Sequence, residues 1–488
     1  MSILKKIPFF LFLLVIFFCL HGWLENFGFI NFIEVIWPGL NIILAIIIGT
    51  GVVLIFTRDI LFASLVAFFI SLWYLFFGAI HDLVRSVPAL SFIKSYPAIL
   101  TTLVILTAAW VIFLKKKKNL HPRLALYLNV LLIIYCLVDV YSLIDKNSKR
   151  PAVKPYAISF DSTKVKQKPD VYLLVFDEYP GFTSLKDSFG FGNDSFYKFL
   201  DQRSFKIMPV YSNYDLTYFS MSSILNMQYA AKDFNNLQLT QRDFQRRGVE
   251  INHASLYPIF KSMGYKITNL SIFDIDGEPA VSMENSFLLA HSILLTDKVL
   301  HNRLKRDLGD GLGKWIPFWK NHDFYQHDLD NKKTEDLLLK TEAFKKATPE
   351  FVYAHFMMPH GPFYYDSAGN KNPYEKISHY TTWTNKALFT GYLKYINQRI
   401  YNMVGTIISH DPNALIIVMG DHGYRGYNSQ ALYQASRYDN LCAIRLPDNH
   451  HLDMKPRWST VNLFRYVFNC EFEQRIPYLG DSTVVLHF

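Results

Sequence analysis

Asp170-Val-Tyr-Leu-Leu-Val-Phe-Asp-Glu178 is an unbroken apolar run closed by two carboxylates, and Ala414-Leu-Ile-Ile-Val-Met-Gly-Asp-His-Gly423 repeats the design far downstream. Short apolar runs of this kind read as strands buried on both faces. Between them, Leu256–Met263 reads as a helix stopped by Gly264-Tyr265, and Lys266–Phe273 as a strand. Lys332–Ala347 follows as a charged amphipathic helix, Glu350–Met357 as a strand and Leu388–His410 as a long helix ended by the turn Asp411-Pro-Asn413. Helix and strand in alternation predict an α/β sandwich, with a mixed, mostly parallel sheet and helices on both faces. Residues 170–488 are ample for one such core.

In open α/β sheets, ligands gather at the carboxyl ends of the strands. Asp177 and Glu178, His355 and His360, and Asp421 and His422 all fall at or just past such ends. Asp421-His422-Gly423 offers an oxygen and a nitrogen ligand to one divalent ion, with a glycine that permits a tight turn. Two acidic strand ends on one sheet edge repel each other, and a cation resolves the conflict; either Asp177 or Glu178 suits that role. Thr217, in Thr217-Tyr-Phe-Ser-Met-Ser-Ser-Ile-Leu-Asn226, opens a helix beginning near Leu216–Tyr218. Its hydroxyl is either an ordinary helix cap or a nucleophile whose pKa a neighbouring dication lowers. The Pro-rich loop after the strand aims His360 at the same edge, for substrate or a second metal, whereas His355 reads as packing. Arg425 is placed to meet a phosphoryl oxygen; an exposed arginine is the other reading.

The first third of the chain is different material. Ile7–Leu24, Val35–Thr57, Ile60–Ile80, Ser95–Leu114 and Leu124–Ile144 are apolar runs near the roughly 20 residues that cross a bilayer core, and only the last holds a charge, Asp139. They predict a five-helix transmembrane region over residues 1–144. Lys5, Lys6, Arg58, Lys115–Lys118 and Arg123 fall in alternate loops, which places the N-terminus in the cytoplasm and everything after Ile144 on the opposite side. A cleaved signal peptide is a poor fit to residues 1–24, since no small-x-small site follows the apolar run.

Of the formal charge of +9, residues 1–150 hold 13 Lys+Arg against 6 Asp+Glu, so most of the excess lies in the membrane part. Nucleic acid is not indicated; the basic clusters read as topology determinants and lipid-headgroup contacts. Cys442 and Cys470 are the two cysteines of the exported part, as a disulfide or as separate thiols. Residues 145–169 read as a polar linker, and 170–488 as one exported domain. Within it, 281–330 carries Leu288–Leu295, a basic stretch Lys298–Arg306, Gly309–Gly313 and the aromatics Trp315, Phe318 and Trp319. It is either a core-capping insert or an amphipathic segment resting on the membrane.

With these motifs in hand, the exported part resembles the alkaline phosphatase superfamily, in its sulfatase-like branch. The strand ending in Asp177-Glu178 matches the branch's acidic strand end. Laying Ser223-Ile-Leu-Asn226 on the sulfatase Ser-Leu-Leu-Thr puts Thr217 on the nucleophile and Ser220 on the motif's inner Ser. Leu256–Thr268 is similar to the helix-Gly-Tyr-x-Thr segment, His355–Phe363 to the Pro-His-x-Pro-Phe loop, and Val418–Gly423 to Ser-Asp-His-Gly. The motif's Pro and Arg are replaced by Phe219 and Met221, and a threonine cannot become formylglycine, which argues against a true sulfatase. A threonine nucleophile behind several spans is similar to lipoteichoic acid synthases and phosphoethanolamine transferases.

That resemblance implies a divalent metal, zinc or manganese, held by Asp177 or Glu178, Thr217, Asp421 and His422, with His360, Ser220 and Arg425 toward substrate. It implies a phospholipid donor, an envelope glycan, glycolipid or polymer as acceptor, and an inner-membrane location with the catalytic domain periplasmic or extracellular. Headgroup phosphate would pass through a phosphothreonine; a phosphate- or sulfate-ester hydrolase and a non-catalytic envelope scaffold are the rivals. The transferases' further histidine after Asp-His-Gly has no counterpart in Tyr433–Ala443, which leaves the substrate open.

Overall fold

The computed structural model describes residues 2–27, 30, 32–148, 156–230, 239, 241–281, 295–312, 322–340, 348–377, 384–426 and 436–486. The chain divides into two compact units, Met1–Ala152 with Met283–His322, and Val153–Ser282 with Asp323–Phe488.

The first unit is helical. Val35–Thr57, Tyr96–Lys116 and Lys118–Ser148 are long and apolar enough to cross a membrane, and a fourth span results if Ile60–Leu75 and Phe77–Ser86, bent by 61°, are taken together. Among the described residues, three or four helices thus have spanning length and composition, where the sequence alone predicts five spans. Phe10–Glu25 has 16 residues, about 24 Å of helix against a bilayer core of about 30 Å. The apolar run before it is broken near Pro8, which cannot donate a helical hydrogen bond. Phe10, Leu14 and Phe18 pack with Phe62, Leu65 and Leu132 in the interior, while Leu44, Ile47, Ile48, Val52 and Phe56 face outward. In the interior, the Asn129 amide N–H2 donates to the carbonyls of Leu4 and Ile7 at 2.8 and 3.0 Å.

The segment 283–322, described from Leu295, joins this unit, so the second unit is not the uninterrupted stretch 170–488. Helix Leu300–Leu312 sets Leu300, Leu304 and Leu308 on one face, in the cluster of Phe77, Tyr96 and Leu103. Tyr96 Oη donates to Asp307 Oδ2 at 2.5 Å and Arg303 pairs with Asp82. Gly78 N donates to Lys298 O at 2.7 Å; a Cβ there would meet Lys298 Cα at 2.8 Å, so the approach requires glycine. Trp315, Phe318, Trp319 and residues 288–294 lie outside the described residues.

The second unit is an α/β sandwich. Its strands are β1 (Val171–Phe176), β2 (Phe205–Ile207), β3 (Val210–Tyr211), β4 (Lys266–Leu270), β5 (Glu350–Phe356), β6 (Leu415–Gly420), β7 (Cys442–Arg445) and β8 (Trp458–Ser459). The main sheet runs β2-β7-β6-β1-β5-β4, and β3 pairs with β8. β4, β5, β1 and β6 are mutually parallel, and β7 and β2 add an antiparallel edge. Alternation along β1 feeds two cores: Val171, Leu173 and Val175 join helix Leu463–Glu471 on one face. Tyr172, Leu174 and Phe176 join helix Lys386–His410 on the other. Cys442 and Cys470 are separate thiols.

Candidate active site

Register creates the site. Phe176 pairs with both Phe356 and Gly420, so the next residues, Asp177 and Asp421, leave adjacent strands side by side. Both turns are sterically fixed. A Cβ on Gly423 would lie 2.0 Å from Ser436 O, and one on Gly420 would lie 2.4 Å from Tyr179 O, so neither position accepts a side chain as the loops stand. Glu178 adopts φ 61°, a left-handed conformation rarely taken by a long side chain. Its N–H donates to Asp421 Oδ1 at 3.0 Å, and the sharp turn sends the two adjacent carboxylates in different directions.

Asp177, His355 and Asp421, all buried, each present a ligand atom within 4.8 Å of the others. Asp177 Oδ1, Asp421 Oδ2 and His355 Nε2 have no hydrogen-bond partner. Three orphaned buried atoms are a standing cost in a dry pocket, and one divalent ion satisfies them together. Nitrogen and carboxylate oxygen suit zinc or manganese, so these residues fit the implied metal. His355 Nδ1 is 2.9 Å from Tyr353 Oη, an outer contact that orients the ring. Burial pulls the His355 pKa down to about 4, keeping its imidazole neutral. Burial, then Asp421 and Glu178, drive the Asp177 carboxyl well above its ordinary range. Burial would also raise Asp421, but His422, His355 and the Glu178 N–H outweigh it and hold that carboxyl low.

His422 Nδ1 donates to Gly423 O at 2.8 Å, turning Nε2 toward the cluster, 3.3 Å from Asp421 Oδ2 and 3.8 Å from Asp177 Oδ1. On its other side, Nε2 is 3.4 Å from Thr217 Oγ1. Thr217 is the first residue of helix Thr217–Asn226, whose N-cap is the extended Leu216; its hydroxyl is thus at the positive helix end without being the cap. That helix is held from behind: Ser222 Oγ donates to Glu250 Oε2 at 2.8 Å, and Glu250 pairs with Arg247 at 2.7 Å.

The structure thus brings Thr217, Asp177, Asp421 and His422 together and changes four other assignments. Glu178 is not among the converging ligand atoms and accepts from Arg425 Nε at 2.5 Å; burial would raise its carboxyl, but Arg425, His360 and His422 hold it below the usual value. Arg425, expected on a phosphoryl oxygen, is engaged by that carboxylate. Ser220 is fully buried and donates to Asp421 O at 2.6 Å, a bond that anchors the turn after β6. His355, read as packing, stands in the cluster. Tyr353 and His355 share one strand face, and Val175 pairs with His355, a register that the sequence alone does not show. His360 is tied to the edge by its N–H, which donates to Asp177 O at 3.1 Å.

The family model described as Sulfatase matches residues 189–448. This exceeds half of the chain, and the protein belongs to the sulfatase family, in the sulfatase-like branch of the alkaline phosphatase superfamily; it is an enzyme of that type. The match spans Thr217, His355 and Asp421 and begins after Asp177. No curated protein matches. Among solved structures, the C-terminal periplasmic domain of EcEptC from Escherichia coli is 12% identical, over 65% of this chain and 86% of that one, with a TM-score of 0.38. The lipoteichoic acid synthase LtaP from Listeria monocytogenes is 11% identical over 67% and 78%, TM-score 0.38. The phosphonate monoester hydrolase of Agrobacterium radiobacter is 13% identical over 62% and 73%, TM-score 0.34.

Proposed function

We propose that this protein is a membrane-anchored phosphotransferase in which Thr217 carries the transferred group. The observation that supports this best is the placement of Thr217 Oγ1 at 3.4 Å from His422 Nε2, beside Asp421 and at a helix N-terminus. In the first displacement, Oγ1 bonds to the phosphorus of a phospholipid headgroup, of phosphoethanolamine or phosphoglycerol type. The bond from phosphorus to the diacylglycerol oxygen breaks, and that oxygen leaves with a proton. In the second, a hydroxyl of an envelope glycan, glycolipid or polymer takes the phosphoryl group and restores the threonine.

Asp177, His355 and Asp421, with His422 Nε2 beside them, would hold the divalent cation, zinc or manganese. Bound there, the cation lowers the pKa of a neighbouring hydroxyl and offsets charge on the phosphoryl oxygens. The chain's own residues do the rest. Helix Thr217–Asn226 points its N-terminal N–H groups at an anion. The Ser220–Asp421 bond keeps the nucleophile and the carboxylate in one rigid frame, and the Glu178–Arg425 pair keeps the rim fixed. Arg58, Lys115–Lys118 and Arg123 lie in loops that the positive-inside bias assigns to the cytoplasm, which supports a catalytic unit on the far side of the inner membrane, in the periplasm or outside.

Comparative mass spectrometry of envelope lipids and glycans from cells carrying the wild type and Thr217→Ala tests the reading. A phosphorylated headgroup present on an acceptor only with Thr217 supports it. Free headgroup with no acceptor modified points to a hydrolase, and unchanged envelopes point to a scaffold.

A further inference from the structure

A cavity of about 400 Å³ lies in the first unit, between helices 35–57 and 60–75 and the segment from Leu295. The two helices are joined by Arg58 and Asp59 alone and run antiparallel, which orders the lining by depth. Toward the joined ends it is purely apolar, with Ile46, Gly49, Val53, Ala67 and Ile70. Toward the other end the polar Asn41, Ser71, Tyr74, Thr296 and His301 join the apolar Pro38, Ile42, Leu75 and Val299. Tyr74 Oη is 2.8 Å from His301 Nδ1; with the phenol donating, His301 Nε2 carries a proton and becomes a donor at the polar end.

We infer that this groove is a binding site for one glycerophospholipid, with an acyl chain between the helices and the phosphate at the Tyr74–His301 end. The occupant follows from the surroundings. Helix Val35–Thr57 is buried over only 11% of its most apolar window, and its flanks, Leu44, Ile48 and Val52, are exposed apolar residues that belong in hydrocarbon. A cleft in that surface opens onto the region that hydrocarbon would occupy. Its polarity changes once along its length, as does that of a lipid, and the donors sit where an anionic headgroup would lie. Small residues such as Gly49 and Ala67 would also suit a partner's transmembrane helix, an occupant that the test below reads as wild type without bound phospholipid.

Gly49 supplies the test, because a Cβ there meets nothing within 4 Å. Gly49→Phe should fill the cleft without displacing backbone, and Ala45→Leu does so more gently. Gly51 has the same open surroundings but does not line the cleft, so Gly51→Phe is the control. The full chain is reconstituted with phosphatidylethanolamine and phosphatidylglycerol, extracted into mild detergent and weighed by native mass spectrometry. The expected result is one retained phospholipid on the wild type and on Gly51→Phe, its loss in Gly49→Phe and Ala45→Leu, and faster loss during delipidation in His301→Ala. Wild type without lipid, or equal retention in Gly49→Phe and Gly51→Phe, overturns the inference. The readout is independent of Thr217 chemistry.

Discussion

Asp177 and Asp421 emerge from neighbouring parallel strands one residue past the pair Phe176–Gly420, which forces two buried carboxylates into one pocket with His355. A cation bound between them would offset their mutual repulsion. Asp177→Asn and Asp421→Asn are each expected to remove stoichiometric metal while leaving the fold intact, since an amide keeps the shape and relieves the repulsion. Metal content by plasma mass spectrometry and thermal melting of the same samples check this; metal retained in both variants contradicts the assigned site.

The outer contact of His355 gives a graded expectation. Tyr353→Phe removes only the hydroxyl that meets His355 Nδ1 and should weaken metal binding by about 10–100-fold. His355→Ala, which removes the Nε2 donor, should weaken it further. Competition with a fluorescent chelator measures both, and unchanged affinity in His355→Ala would return that residue to a packing role.

Glu178 and Arg425 form a pair buried on the carboxylate side. Arg425→Met leaves that carboxylate unpaired and is expected to cost about 3–5 kcal/mol, part of which Glu178→Gln restores in the double variant. The pH dependence follows from the sign. Glu178 titrates below 4.5 in the folded state, so its stabilisation is fully present above about 4.5 and is lost as pH falls through the folded value. Melting temperature against pH should therefore lose its acid-side decline from this group in Glu178→Gln.

The turn after β6 has no room. Gly423→Ala would place Cβ 2.0 Å from Ser436 O, and the shift needed should cost about 1–3 kcal/mol and displace His422 from Thr217. A lower melting temperature with metal affinity reduced in parallel is expected; a melting curve like that of the wild type means the loop at Ser436 relaxes freely.

Much of this site was legible because strands buried on both faces announce themselves and their acidic ends fall at one edge. Val171–Phe176 ended where the apolar run ended, and the mostly parallel sheet followed from the alternation of elements. What sequence concealed was register and direction. Nothing in Tyr353-Ala-His355 tells packing from ligation until Val175 is known to pair with His355. Nor does Asp177-Glu178 show that a left-handed turn parts the two carboxylates. Short β2 and β7 carry too few residues to declare an antiparallel edge. In the membrane unit, hydropathy does not register the breaks near Pro8 and at Phe76 that shorten or bend the helices. The segment from Leu295 joins that unit through long-range contacts such as Tyr96–Asp307, which no local pattern encodes.

The most direct measurement is the intact mass of the metal-loaded full chain after brief exposure to donor phospholipid, without acceptor. A mass increase equal to the phosphorylated headgroup, mapped to Thr217, kept by Thr217→Ser and absent from Thr217→Ala, is the expected result. An active, metal-loaded preparation that shows no adduct, or carries it on another residue, contradicts a threonine-borne intermediate.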